Sequence, residues 1–176
     1  ASDQTVECDG SGNNAALTAW LANNGGAQAT DVCGDVTWSN DFSALSDLCG
    51  STGAATVALG ARVARGGGRT TSGTFTIEDT TDPSIDTSAA DETVECDGSG
   101  NNAELTAWLA DNGGAEASDV CGSVTWTNDF SSLSDLCGST GAATVIFTAT
   151  DACGNTTSTS ATFTIEDTTA PVTVTK

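Results

Sequence analysis

The stretch ATVIFTATDACGNTTSTSATFTIED, residues 143–167, decides the fold. Val145, Phe147 and Ala149 fall on every second position, and Phe163 and Ile165 do the same after a DACGN loop. A period of two marks strands buried on one face only. Working outward, VTWTND (124–129) brings Val124 and Trp126 on the same period, and TVEC (93–96) reads as a further strand. Between those two lies NNAELTAWLADNGG, residues 101–114. There Leu105, Trp108 and Leu109 stand at i, i+3 and i+4, Asn102 suits a helix cap and Gly113 follows the end, which predicts one short amphipathic helix laid on the sheet. The expected architecture is all-β dominated, a small immunoglobulin-like β-sandwich with one helical insertion, close to the ~100 residues of that domain type.

The same unit occurs twice. TVECDGSGNNAALTAWLANNGGA from Thr5 returns as TVECDGSGNNAELTAWLADNGGA from Thr93, and Cys8, Cys33 and Cys49 return as Cys96, Cys121 and Cys137, each 88 residues on. The 176 residues are two whole periods. Joining DTTAPVTVTK to ASDQTVEC keeps the spacing from Pro to Cys, so the period also runs across the ends. This places repeat one at 1–82, repeat two at 83–170 and a strand belonging to a following repeat or subunit at 171–176. The first repeat then lacks the strand that Pro83–Thr87 gives to the second. The segment PVTVT (Pro171, Val172, Thr173, Val174 and Thr175) is the expected assembly strand. Two readings follow: an excerpt of a long tandem array, or a filament subunit whose last strand completes the next subunit by strand addition, a head-to-tail contact that does not close.

Charge narrows the partners. With four basic against 24 acidic residues the formal net charge is −20, which repels nucleic acid and anionic membrane surfaces. No apolar run nears the roughly 20 residues of a membrane helix. No leader is visible, so a targeting segment would have been removed or would lie outside this stretch. Large side chains are few, four Trp and five Phe, and so thin a core calls for staples. Seven Cys with no His and no CxxC pair point to disulfides in an oxidising, extracellular setting rather than to zinc. The four cysteines of repeat two allow three pairings. Cys121 just before one strand and Cys153 just after another favour a Cys121–Cys153 bridge, which leaves Cys96 with Cys137. In repeat one Arg65 replaces the fourth cysteine, so Cys8 pairs with Cys49 and Cys33 is left unpaired, free to link chains.

Carboxylates gather at IEDTTDP (77–83) and IEDTTAP (165–171). Glu78, Asp79, Asp82, Glu166 and Asp167, with Asp151 and Asn155 of the DACGN loop, are candidate calcium ligands, because calcium takes six to eight oxygens from loop carboxylates, amides and carbonyls. The alternative is a solvated acidic surface. Asn155 heads an NTT glycosylation pattern. Catalysis finds no support: there is no His, no GxSxG and no phosphate-cradling loop. The odd stretch is ALGARVARGGGRTTSG (58–73), which holds Arg62, Arg65 and Arg69 where repeat two has IFTATDACGNTTSTSA. Equal length, an Ala/Gly/Arg composition and clean resumption at TFTIEDTT read as a segment translated out of frame. The alternative is arginines that pair with the acidic surface of a neighbouring copy.

The segment ATVIFTATDACGNTTSTSATFTIEDTTAP, with DVCGSVTWTNDF, resembles the bacterial immunoglobulin-like, HYR-type modules strung in tandem in giant secreted surface proteins. The resemblance covers essentially the whole chain. It implies a non-enzymatic extracellular stalk or adhesin at the cell surface, with itself as principal partner and surface glycans as the alternative ligand. It raises the case for calcium at the junctions. The DTT triplets also resemble O-glycosylation acceptors, which would place sugars on Thr80 and Thr168.

Overall fold

The computed structural model describes residues 1–64, 66–134, 136 and 138–173. Arg65, Cys137, Val174 and Thr175 lie outside that set. The chain forms two compact units: Ala1–Thr81 together with Val120–Ser123, and Asp82–Asp119 together with the chain from Val124 onward. Both are built mainly of strands with one α-helix each, the all-β-dominated class that the alternation predicts.

The first unit contains β1 (Gln4–Glu7), α1 (Asn14–Ala22), β2 (Val36–Asn40), β3 (Gly53–Val63) and β4 (Gly68–Glu78). They form one sheet in the order β1-β4-β3-β2, with β1 parallel to β4 and the rest antiparallel. The second unit contains β5 (Ser84–Thr87), β6 (Glu92–Glu95), α2 (Asn102–Ala110), β7 (Glu116–Ser118), β8 (Thr125–Asn128), β9 (Gly141–Thr150) and β10 (Thr156–Glu166). Its sheet runs β6-β10-β9-β8, and β5 and β7 add a two-stranded ribbon.

The alternation does what it predicts. Val145, Phe147, Ala149, Ala161, Phe163 and Ile165 are buried on one face of β9 and β10. Their counterparts Val57, Leu59, Ala61, Phe75 and Ile77 are buried in the first unit, so the arginine-bearing stretch keeps its inward positions and its hairpin register. Leu105 and Trp108 close this core from α2, as Leu17 and Trp20 do from α1. Trp108 meets Phe147 edge-on at 5.2 Å and Phe163 at 5.5 Å, contacts worth about 0.5–1.5 kcal/mol each beyond the area buried. Its Nε1–H donates to the Ala90 carbonyl at 3.1 Å, so the indole is buried without an orphaned donor.

The helix cap differs from expectation. Asn102 is the first helical residue and Asn101 stands at the cap position with φ 49, making no side-chain bond to the helix. Its Oδ1 instead accepts the Asp97 N–H at 3.1 Å and its Nδ2 donates to the Glu95 carbonyl at 3.0 Å. The CDGSGN loop must turn sharply from β6 into α2, and asparagine tolerates the left-handed corner that this turn requires.

Candidate functional site

The two units differ at one edge. In the second, β5 pairs antiparallel with β7, Ser84 against Ser118 and Ile85 against Ala117, with a bulge before Thr87 meets Glu116. Strand β5 also packs along β10, and the ribbon leaves Ile85 and Ala117 half-buried. The period carries β7 onto residues 28–30. Gln28, Ala29 and Thr30 belong to no strand among the described residues, and all three are exposed.

What lies beside this edge is a groove. A cleft of about 270 Å³ runs between Gln28 and Ala29 on one side and Trp38, Ala61 and Thr71 on the other. A second, of about 470 Å³, continues past Thr30 and Val36 to Arg62, Gly68 and Arg69, and the two share Ala29, Ala61 and Arg69. The groove has an apolar floor, an unpaired backbone rim and two guanidinium groups at its hairpin end. The surrounding frame is the same in both units: the Ala1 ammonium donates to Thr71 Oγ1 at 2.8 Å where the Ala89 N–H donates to Thr159 Oγ1 at 3.2 Å.

The direction in which β5 enters its own groove is also visible. Asp82, just before Pro83, accepts the Thr156 N–H at 3.3 Å, and Gly68 is the period counterpart of Thr156. A strand laid in the first unit in the same way enters at the arginine end. The expected assembly strand is described as far as Thr173; Pro171, Val172 and Thr173 are exposed and in no strand, with Val172 88% exposed.

The cysteines depart from the expected pairing. Cys8 bonds Cys121 with Cα atoms 6.1 Å apart, so neither Cys121–Cys153 nor Cys8–Cys49 forms. The cause is that Val120–Ser123 belongs by its packing to the first unit. There the Cys121 carbonyl accepts the Ser51 N–H at 2.8 Å, which sets the sulfur beside the end of β1. Cys49 and Cys153 are also in disulfides. Cys96 is free and half-buried, so Cys96–Cys137 does not form either, and Cys33 is free and exposed.

Of the candidate calcium ligands, Asp151 and Asn155 come together, but as a clasp. Asp151 Oδ1 accepts the N–H groups of Cys153, Gly154 and Asn155 at 2.6–2.9 Å, and Oδ2 accepts Asn155 Nδ2 at 2.8 Å. Burial pushes this carboxyl up, but the bonds from Asn155, Cys153 and Gly154 outweigh it and hold the group below the usual carboxylate range. Asn155 is also the glycosylation candidate, and its amide is already spent on this clasp. Glu78, Asp82, Glu166 and Asp167 are exposed, and Asp79 is half-buried. Asp167 accepts the Thr169 N–H at 3.0 Å.

Sequence reading missed the partner of the DTT triplets. Glu95, the last residue of β6, accepts the N–H and hydroxyl of Thr168 at 2.9 and 2.7 Å and those of Thr169 at 3.1 and 2.8 Å. Glu7 holds Thr80 and Thr81 in the same way. The threonine hydroxyls and N–H groups hold both carboxyls below their ordinary range. Thr80 and Thr168 are exposed, with their hydroxyls donated to these glutamates. The available signal was the pairing of each TVE with a DTT at a fixed spacing in both repeats.

No family model matches the chain, and no curated protein matches it. Among solved structures it is similar to the EC1-4 fragment of Drosophila N-cadherin, at 9% identity and TM-score 0.35 over 77% of this chain and 42% of that one. It is similar to the EC3-6 fragment of protocadherin gammaB7 at 17% identity and TM-score 0.33, over 65% of this chain and 32% of that one. The I67-I69 I-band fragment of titin gives 13% identity and TM-score 0.30, over 78% of this chain and 56% of that one. The chain spans less than half the length of the two cadherin-type fragments.

Proposed function

We propose that the protein is a structural, non-enzymatic repeat module of the HYR kind in a bacterial extracellular filament or stalk, joined head to tail by strand addition. The groove at Gln28–Thr30 takes the segment 171–175 of a preceding copy. The observation that carries this reading is internal: the chain itself lays β5 in the equivalent groove of its second unit. Charge supports a second copy as the occupant. Arg62 and Arg69 stand at the entry of the groove, and the incoming strand is preceded by Glu166 and Asp167. The residues of this segment are β-branched at Val172, Thr173, Val174 and Thr175, which favours extended backbone.

Sedimentation velocity over a concentration series, in reductant, tests the proposal. The whole chain should form a ladder of head-to-tail oligomers. Ala29→Pro, which denies the rim its strand conformation and a backbone donor, should leave monomers, as should removal of residues 171–176. Monomers of the unaltered chain at every concentration, or unchanged assembly by both variants, would sink it. Calcium bound by the junction carboxylates Glu78, Asp79, Asp82, Glu166 and Asp167 would stiffen such a rod. Excess chelator should then lower the melting temperature, and an unmoved melting curve removes calcium from the account.

A further inference from the structure

Resting on the head-to-tail reading, we infer that Cys96 of one copy and Cys33 of the next form an intermolecular disulfide that locks the strand-docked junction. The chain supplies the template. Cys8 of the first repeat bonds Cys121, which the second repeat carries 113 residues later. Advancing Cys8 by the period of 88 gives Cys96, and moving Cys121 back by the same period gives Cys33. Both are free thiols.

Cys96 is poised as its counterpart is. The Gly98 N–H donates to Cys96 Sγ at 3.4 Å, matching the Gly10 N–H on Cys8 Sγ at 3.4 Å, and the Cys96 thiol donates to the Ser139 carbonyl at 3.7 Å. Cys33 differs from Cys121 in the way an unjoined half should: it is exposed, whereas Cys121 is 3% exposed once bonded. Docking residues 171–175 at Gln28–Thr30 repeats the step that places β5 on β7, and the same step brings the loop of Cys33 to the position that Val120–Ser123 holds in the first unit.

There is a physical need for the bond. Thr173 stands where β5 has Ile85, so the docked strand buries a threonine methyl group in place of an isoleucine side chain. A four-residue strand with so little apolar burial dissociates readily. A covalent bond removes that route. The chemistry balances with an external disulfide as oxidant, such as oxidised glutathione or an oxidoreductase disulfide. One thiolate attacks it and releases one thiol, and the second thiolate attacks the mixed disulfide and releases the other. Two cysteine thiols are oxidised, one oxidant disulfide is reduced to two thiols, and the cysteine protons pass to those products.

The test is non-reducing electrophoresis and peptide mapping of the whole chain assembled with oxidised glutathione, beside sedimentation in reductant. A ladder of cross-linked chains with a Cys33–Cys96 peptide is expected. Cys33→Ser alone and Cys96→Ser alone should give no ladder, and a mixture of the two should stop at a cross-linked dimer. Both variants should still associate in reductant. A Cys33–Cys33, Cys96–Cys96 or Cys96–Cys137 linkage, or a ladder unchanged in either variant, overturns the inference. Association in reductant without any ladder overturns the disulfide and leaves strand docking standing. Absence of both association and ladder overturns the two together.

Discussion

Replacing Asp151 with alanine strips an acceptor from three backbone N–H groups and from the Asn155 amide in one step. Donors left unpaired at a site that is 6% exposed cost about 1–3 kcal/mol, which thermal or urea unfolding of Asp151→Ala should show. The first unit shows what survives. Val63 takes the place of Asp151, and among the described residues its hairpin closes through backbone bonds, the Val63 N–H on the Gly67 carbonyl at 3.0 Å and the Gly66 N–H on the Val63 carbonyl at 3.2 Å. Acid should act at the same scale. Glu7, Glu95, Asp9, Asp97 and Asp151 all sit below their ordinary values in the folded chain. A carboxyl lowered by folding adds stability that is fully present above its unfolded value, near 4.5 for Glu and 3.8 for Asp. That stability is lost as pH falls through the lowered one. The midpoint of urea unfolding should therefore hold steady from neutral pH to about 5 and drop below 4. Glu95→Gln should flatten part of that drop, and an identical acid profile in the variant would remove the Thr168 and Thr169 clasp from the explanation.

Each helix acts as a lid held by one indole. Trp108→Ala would empty the space between Phe147 and Phe163 and strand the Ala90 carbonyl, at a cost of about 3–5 kcal/mol in the unfolding of the second unit. The ribbon is the separable element. Ala117→Pro should break the pairing of β5 with β7 while leaving the sheet β6-β10-β9-β8 intact. Hydrogen exchange would read this as lost protection at 84–87 with protection in β9 and β10 kept. Loss throughout the unit would mean that the ribbon belongs to the core and is no add-on strand. The arginine hairpin belongs here too. Its register from Gly53–Ile77 to Arg62–Gly68 is that of β9 on β10, so Arg62→Thr with Arg69→Thr, which restores the residues of repeat two, should leave the melting temperature within about 1 °C.

For the molecule as a whole, the Cys8–Cys121 bond spans 113 residues, and a closed loop of that length restricts the unfolded chain by about 4–5 kcal/mol. Cys121→Ser should lower the unfolding midpoint accordingly and free Cys8 to thiol reagents; an unmoved midpoint would show that the bond is not made in solution. No helix among the described residues is long and apolar enough to cross a membrane, and bonded cysteines at 8, 49, 121 and 153 suit an oxidising compartment.

The sequence by itself determined the repeat, the alternation that makes strands of residues 143–150 and 156–166, and the anchoring role of Trp20 and Trp108. These are local or periodic properties, written in side-chain spacing of two or of three and four. It also raised the expectation that 171–175 serves as a strand for a following repeat or subunit. Only the tertiary structure decided which sulfurs meet. Cys121 lies closer in sequence to Cys153 than to Cys8, yet bond formation depends on Cα atoms coming within bridging distance, and the packing of Val120–Ser123 on the first unit alone determines that. The clasp of Asp151 on its own turn, the hold of Glu7 and Glu95 on the DTT threonines and the open rim at Gln28–Thr30 were hidden for the same reason. Each is a hydrogen bond, or the lack of a strand partner, between residues that composition and period leave unpaired until the sheet brings them side by side.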